Sequence, residues 1–208
     1  GGLEGIGDWF ECDVSDSQSV TTAFSEIAEL TGTLDVLVNN AGIGAVGTIE
    51  DTSDEEWMRV LQVNVIGTAR VSAAALPFLR RSKHASITNM CSIAATVGLP
   101  ARTVYSASKG AVLSLTLAMA ADHLHEKIRV NCVNPGTADT PWIGRLLSQA
   151  ADPAAERVAL SARQPIGRMI SSDEVASAVC FLASPNQAST TGISLAVDGG
   201  MDSLRPRR

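Results

Sequence analysis

The chain has 208 residues, 45% of them hydrophobic, and it carries a formal net charge of −6 with a pI near 5.0. This length and composition can bury one substantial core, so we expect a single domain over residues 1–208. The acidic residues are dispersed, the only basic run is the short tail at residues 205–208, and no apolar run approaches the ~20 residues of a membrane helix, so we expect a cytoplasmic protein with neither nucleic acid nor membrane as a partner.

Short β-like runs alternate along the chain with longer helical stretches. The predicted strands are residues 9–14, 34–39, 86–91, 128–134 and 194–197. The predicted helices are residues 17–30, a stretch after Ser53 that continues with a break to about Arg81, residues 104–126, and residues 171–182. Ser53-x-x-Glu56 and Ser171-x-x-Glu174 each have the form of a capping box. The alternation predicts an α/β fold, a doubly wound parallel sheet in three layers with helices on both faces.

Residues 136–167 depart from this alternation. The stretch from Pro135 onward holds Pro141, Pro153 and Pro165, and it has weak helical periodicity. A long segment of this kind inside a compact domain is usually functional. We expect a substrate-covering lid with one or two short helices.

The cysteines and histidines predict no metal site. The chain has four cysteines, Cys12, Cys91, Cys132 and Cys180. They are far apart, show no paired zinc or redox spacing, and are expected to be free thiols in the core. His123 and His125 are two positions apart on a predicted helix, so their rings point to different faces.

Tyr105 and Lys109 form the first chemical signal, because an i, i+4 spacing places both on one helical face. A phenol is a poor base at neutral pH, but a neighbouring cation lowers its pKa, and the pair can then move a proton on or off an alcohol. Tyr105 is the only tyrosine in the chain. Ser92 lies thirteen residues earlier, just past a predicted strand, where a parallel sheet presents its site.

These residues belong to a longer ordered set. The set comprises Asn39-Asn40-Ala41-Gly42 after a strand, Asn64, Ser92, Tyr105, Lys109 and Pro135-Gly136. In order and spacing it resembles the short-chain dehydrogenase/reductase family, over a match from Asp13 to the terminal Val197-Asp198-Gly199-Gly200.

The resemblance implies a catalytic role for four residues. Tyr105 would be the general acid/base, and Lys109 would lower the pKa of Tyr105 and bind the nicotinamide ribose. Ser92 would hydrogen-bond the substrate oxygen, and Asn64 would hold a water that links Lys109 to a proton relay. The structural alternatives are a turn serine at the strand end and a polar residue that satisfies backbone groups at a helix break.

The resemblance also implies NAD or NADP as cofactor, with NAD favoured. Asn39, Ala41 and Gly42 would lie beneath the adenosine half, where small residues allow close backbone approach. The Asp13 carboxylate would accept from the adenine amino group, although it would also suit the start of the next helix, and Val14 would supply a backbone contact. At the other end of the cofactor, the implied contacts are Pro135, Gly136 and Thr140, with Thr140 holding the carboxamide.

The glycines at the beginning of the chain fit the family's phosphate loop only superficially. Gly1, Gly5 and Gly7 have the Gly-x-x-x-Gly-x-Gly spacing. A phosphate loop follows a strand and opens a helix, whereas here the next residues are the predicted strand 9–14. We therefore expect the first strand-helix-strand unit to be missing. The residue that determines the preference for NAD or NADP would lie in that unit, so the sequence does not give this preference, and the activity of the chain itself is uncertain.

Arginines suggest the kind of substrate. Arg102 lies three residues before Tyr105, and its guanidinium would suit a carboxylate. The segments around residues 135–142 and 163–168 resemble the family branch of deoxy-sugar-acid and cytosolic 3-hydroxybutyrate dehydrogenases, which implicates Arg163, and Arg145 of the expected lid is a third candidate. Each arginine could instead be a solvated surface charge.

The expected function is interconversion of a secondary alcohol and a ketone on a small carboxylate-bearing substrate, such as a hydroxy acid or deoxy sugar acid. One alternative is a 3-oxoacyl-thioester reductase, which would need a basic surface for a carrier protein. The other is a non-catalytic truncated subunit. Apolar residues on the helices near 63–79 and 104–124 predict a homotetramer or homodimer.

Overall fold

A computed structural model describes residues 7–148 and 150–206 of the chain. Its four strands form one parallel sheet in the order β1-β2-β3-β4. The strands are β1 (Val36–Asn39), β2 (Ser86–Met90), β3 (Arg129–Pro135) and β4 (Ser194–Val197). The helices are α1 (Ser17–Leu30), α2 (Asp54–Leu61), α3 (Thr68–Leu79), α4 (Thr103–Asp122), α5 (Pro141–Ser148), α6 (Pro153–Ala162) and α7 (Ser172–Ala183). A π-helical segment, Gln62–Gly67, joins α2 to α3.

Hydrophobic layers cover both faces of the sheet. On one face Ile87 and Val130 of the sheet pack against α3 and α4, with Leu79 and Met119 among the buried partners. On the other face Val133 packs against α7. Because successive strand side chains point to opposite faces, β3 can supply both layers. The fold is the three-layer, doubly wound α/β arrangement that the sequence predicts.

The predicted capping boxes form to different extents. The Ser171 hydroxyl accepts from the Glu174 backbone N–H at 3.1 Å, and the Glu174 carboxylate accepts from the Ser171 N–H at 2.8 Å, so the box that opens α7 is complete. Ser53 caps α2 by accepting from the Glu56 N–H, but the Glu56 carboxylate binds Arg59 at 2.7 Å. Only half of that box forms, because an arginine one turn later competes for the carboxylate.

Two expectations about the first fifteen residues and the thiols are wrong. Residues 9–14 do not form a strand. None of the four described strands pairs with them, and without a neighbouring strand the segment has no ladder of backbone hydrogen bonds. Trp9 is 78% exposed. Cys12 is exposed on the same segment and Cys180 is exposed on α7, so neither is a core thiol. The glycine pattern at residues 1–7 lies, up to residue 6, outside the described residues.

Helix α4 is more apolar than the sequence reading allowed. Within the described residues it is the one helix long and apolar enough to cross a membrane by length and composition. It packs against β2 and β3, and its residues Met119 and Ala120 are buried in the core. The core helix of a parallel sheet meets the same criterion, because it is apolar on more than one side.

The segment 136–167 contains two short helices, α5 and α6, within the number predicted. They pack on each other through their own apolar cluster, Ile143, Leu147, Leu160 and Met169. The base of the segment is closed by hydrogen bonds from the Ile170 N–H to the Thr137 carbonyl (3.0 Å) and from the Asp139 N–H to the Ile170 carbonyl (2.8 Å). The segment is therefore a small unit with a narrow stem, and its role as a lid stays a prediction.

Candidate active site

A cleft of about 970 Å³ lies at the carboxyl ends of the strands, where a doubly wound sheet binds its ligands. The segments that follow β1, β2 and β3 line its floor, and α4, α5 and α6 contribute its walls. The predicted site residues that line it are Gly42, Ser92, Arg102, Tyr105, Lys109, Pro135, Gly136, Thr140, Arg145 and Arg163. The structure therefore gathers most of the predicted catalytic and substrate residues into one cavity.

Ser92 is held where β2 ends. Its backbone is extended, and its hydroxyl accepts from the Ala94 N–H at 3.1 Å, which caps the short 3₁₀ turn Ile93–Ala95. The side chain is buried at the cleft wall. The cap is the predicted turn-serine alternative. The hydroxyl also acts on Tyr105, whose pKa it lowers, and its role toward a substrate oxygen stays a prediction.

Tyr105 and Lys109 lie one turn apart on α4, as the spacing predicts. The Lys109 ammonium is 5.8 Å from the centre of the Tyr105 ring and donates to the Met90 carbonyl at 2.8 Å. Lys109 is only 5% exposed, and within the described chain this carbonyl is its one hydrogen-bond acceptor. A buried ammonium with spare N–H groups facing a cleft is suited to bind hydroxyl groups of a ligand.

Burial dominates the ionisation of this pair. It raises the pKa of Tyr105, against the smaller effects of the Ser92 hydroxyl and the Arg102 charge, which lower it. Burial also lowers the pKa of Lys109. In the protein alone Tyr105 is therefore a neutral phenol, a proton donor at neutral pH, and the lowering of its pKa by Lys109 stays a prediction.

Asn64 is placed by the π-helical segment, and such segments are frequent at functional sites. Its side-chain oxygen accepts from the Ile43 N–H at 2.8 Å, and its NH₂ group donates to the Ile43 carbonyl and the Ser108 hydroxyl, both at 3.0 Å. Both polar atoms of this buried side chain thus tie the loop after β1 to α4. This is the predicted structural alternative, and the role of Asn64 in a water relay stays a prediction.

The floor of the cleft fits a nicotinamide cofactor. A Cβ on Gly42 would lie 3.3 Å from the Asn64 side-chain oxygen and 3.5 Å from the Lys109 ammonium. A Cβ on Gly136 would lie 2.5 Å from the Gln164 side-chain oxygen, which is closer than any side chain tolerates. Glycine at position 136 is therefore required by the packing of the protein itself, whereas Gly42 keeps a side chain away from the buried Lys109 ammonium at the cleft. The ribose and nicotinamide would be held by Lys109, Gly136 and Thr140.

Four other predicted cofactor residues lie outside the main cleft. Val14, Asn39 and Ala41 line a separate cavity of about 70 Å³. The Asn39 side chain donates to Ser72 and Asn89 within the core (2.9 and 2.8 Å), so it joins strands to a helix. The Asp13 carboxylate accepts from the backbone and hydroxyl of Ser15, which lower its pKa, and it borders neither cavity. Their roles toward an adenosine stay predictions.

The three predicted substrate arginines border the cleft in different ways. Arg102 is partly buried, and within the described chain its only hydrogen bond runs from Nη1 to the Ala45 carbonyl at 2.9 Å. Burial lowers its pKa, and the positive charge of Arg163, which lines the same cleft, lowers it further. Arg145 and Arg163 are exposed. No carboxylate of the described residues pairs with any of the three.

Sequence reasoning missed two residues of the cleft wall, Trp142 and Gly44. The Trp142 ring lies over the Arg102 guanidinium, 5.5 Å from its carbon to the ring centre, and touches the backbone of Gly44. A large aromatic directly after Thr140-Pro141 and a glycine two positions after Gly42 were the available signals.

The cleft lies at the end of a parallel sheet and combines a tyrosine and a lysine of α4 with a serine at the end of β2. This arrangement is typical of a nicotinamide-dependent oxidoreductase. A family model described as enoyl-(acyl carrier protein) reductase matches residues 3–202. The chain belongs to the short-chain dehydrogenase/reductase family, whose enzymes depend on NAD(P).

Relatives and solved structures agree with this assignment. The chain is 43% identical to inactive 2-(S)-hydroxypropyl-CoM dehydrogenase 2 of Xanthobacter autotrophicus, over 92% of this chain and 84% of the relative. It is 39% identical to cis-4-hydroxycyclohexanecarboxylate dehydrogenase of Sinomonas cyclohexanicum, over 92% and 75%.

Among solved structures, ligand-free aldohexose dehydrogenase of Thermoplasma acidophilum superposes with a TM-score of 0.90 at 34% identity, over 99% of this chain and 84% of the other. ElxO with NADP bound gives a TM-score of 0.87 at 28% identity, over 95% and 79%.

Proposed function

We propose that this oxidoreductase interconverts a secondary alcohol and a ketone on a small substrate that carries a carboxylate. The observation that carries the proposal is Arg102, a partly buried guanidinium in the cleft one turn before Tyr105, with one carbonyl as its partner in the described chain. A guanidinium left without a carboxylate inside a cleft is costly unless a ligand supplies the anion. Arg163 adds a second positive charge nearby.

The names of relatives support an acidic substrate. Cis- and trans-4-hydroxycyclohexanecarboxylate dehydrogenases of Sinomonas cyclohexanicum are 39% and 38% identical to this chain. Each name describes a secondary alcohol with a carboxylate several atoms away. A substrate of this shape would place its hydroxyl at Tyr105 and its carboxylate at Arg102.

The reaction follows from the side chains of the cleft. The chemistry supplied by a bound nicotinamide, NAD or NADP, is hydride exchange with the carbinol carbon. In ketone reduction the Tyr105 phenol gives its proton to the carbonyl oxygen, and in alcohol oxidation the Tyr105 phenolate takes the hydroxyl proton. Ser92 holds the same oxygen, and Lys109 holds the ribose and favours the phenolate.

The three catalytic side chains favour an active enzyme over a non-catalytic subunit. The Xanthobacter relative is named an inactive dehydrogenase. In this chain, however, Ser92, Tyr105 and Lys109 are all present and line one cleft. The proposal of catalysis therefore rests on the residues of this chain.

The test compares wild type with Arg102→Met on cis-4-hydroxycyclohexanecarboxylate and on its neutral amide. If the carboxylate pairs with Arg102, removal of the cation costs about 2–5 kcal/mol of transition-state binding for the acid. That corresponds to a loss of about 30- to several-thousand-fold in kcat/KM, with little change for the amide.

Arg80→Met is the matched control, because Arg80 pairs with Glu126 at the surface and does not line the cleft. It should leave both kcat/KM values unchanged. An equal loss on acid and amide in Arg102→Met would show that Arg102 only supports the local fold, and the acidic substrate class would be wrong.

A further inference from the structure

Trp142 occupies a position that none of the catalytic steps uses. It is the second residue of α5, at the start of the segment 136–167, and it is 38% exposed. The Arg102 guanidinium carbon lies 5.5 Å from the centre of its ring, and the ring also packs against Gly44 in the loop after β1. One side chain thus links the segment 136–167 to the proposed carboxylate site.

Arg102 needs such a neighbour because its other contacts do not fix its orientation. Its hydrogen bond from Nη1 to the Ala45 carbonyl anchors one corner of the guanidinium and permits rotation about that point. The nearby Arg163 charge repels it. An aromatic face attracts a guanidinium and holds its plane parallel to the ring, which leaves the N–H edge available to a carboxylate.

Gly44 makes this stack possible. A Cβ on residue 44 would lie 2.7 Å from Cζ2 and 3.0 Å from Cε2 of the Trp142 ring. Any side chain there would displace the ring from its present position. The glycine therefore allows the indole ring to pack against the loop within reach of Arg102.

We propose that Trp142 is a positioning residue that orients Arg102 for the substrate carboxylate. The position of α5, which carries Trp142, and the binding of the anion would then depend on each other. The inference rests on the proposed function, since it presumes that Arg102 binds an anion. It makes Trp142 a determinant of specificity for acids that acts through Arg102 and not by direct contact with the reacting atoms.

The experiment measures binding of cyclohexanecarboxylate and of its neutral amide by calorimetry, in the protein saturated with nicotinamide cofactor. The variants are Trp142→Leu, Trp142→Phe and Gly44→Ala, with Arg102→Met as reference. Trp9→Leu is the matched control, because Trp9 is exposed and lies outside the cleft. Loss of the stack should raise the Kd for the carboxylate about 3- to 30-fold and leave the amide nearly unchanged.

Trp142→Phe should recover most of the affinity because it keeps an aromatic face. Gly44→Ala should reproduce the loss in Trp142→Leu although Trp142 itself is intact. In the wild type, the ring should also shift the Arg102 side-chain N–H resonances upfield, and this NMR shift should vanish in Trp142→Leu and in Gly44→Ala.

The outcomes separate this inference from the proposed function. If Arg102→Met weakens the carboxylate selectively but Trp142→Leu weakens carboxylate and amide equally, or neither, Trp142 is only an apolar wall and the inference is overturned. If the wild type binds the carboxylate no better than the amide, the proposed function fails, and the inference fails with it.

Discussion

At the scale of single residues, the proposed catalysis depends on how the fold sets the pKa of Tyr105. Burial raises the pKa of Tyr105 and outweighs the Ser92 hydroxyl and the Arg102 charge, which lower it. The expectation that a neighbouring lysine alone activates the tyrosine omits this desolvation. In the protein without cofactor, Tyr105 is a neutral phenol at neutral pH, and its conversion to phenolate requires alkaline pH. Its role as the acid of ketone reduction stays a proposal.

This ionisation can be observed directly because Tyr105 is the only tyrosine of the chain. The tyrosinate absorbance, taken as the difference between wild type and Tyr105→Phe without cofactor, should develop only above the ordinary phenol pKa of about 10. The sign follows from burial, which favours the neutral form, so the phenolate appears later as pH rises. A midpoint below pH 9 would show that Lys109 outweighs burial.

At the scale of elements, local sequence signals were sufficient where each element depends on its own residues. Helix α1 has the predicted bounds, and the complete capping box at Ser171 starts α7 where predicted. The strand predicted at residues 9–14 failed, because a strand also needs a neighbour that sequence patterning does not specify. Helix α4 was located correctly, but its apolar character as a core helix was underestimated.

The candidate site was predictable where the catalytic residues follow a characteristic order and spacing in the sequence. Ser92, Tyr105 and Lys109 were identified from their order, and they meet in one cleft. The side chains of Asn39 and Asn64 make hydrogen bonds within the fold, which the spacing of residues does not reveal, and their predicted roles toward the cofactor and the water relay stay predictions. Trp142 was missed because its partner Arg102 is forty residues away in sequence and comes close only through the fold.

At the scale of the whole molecule, the helices beside the site leave apolar surface exposed. Ile66, Leu117 and Leu124 are 45%, 49% and 60% exposed. Exposed apolar side chains mark an interface between subunits where they form a continuous patch. We propose a symmetric homotetramer or homodimer built on these helices.

Sedimentation velocity tests the assembly. The wild-type protein should sediment as a dimer or tetramer, and Leu117→Glu should shift it to smaller species because a buried, unpaired carboxylate destabilises an apolar contact. Val158→Glu is a suitable control, since Val158 is 68% exposed on α6, away from α4. A wild-type monomer would contradict this arrangement.

The central claim is that Tyr105 transfers the proton in a nicotinamide-dependent reaction, and Tyr105→Phe in the protein assayed with NAD and NADP tests it most directly. Phenylalanine preserves the ring but has no proton to exchange, so cofactor affinity should stay within about twofold while turnover falls to less than a hundredth of wild type, as expected for loss of a general acid/base. Retention of more than about a tenth of the wild-type kcat with normal cofactor binding would contradict the account, since an acid/base is worth at least ~100-fold.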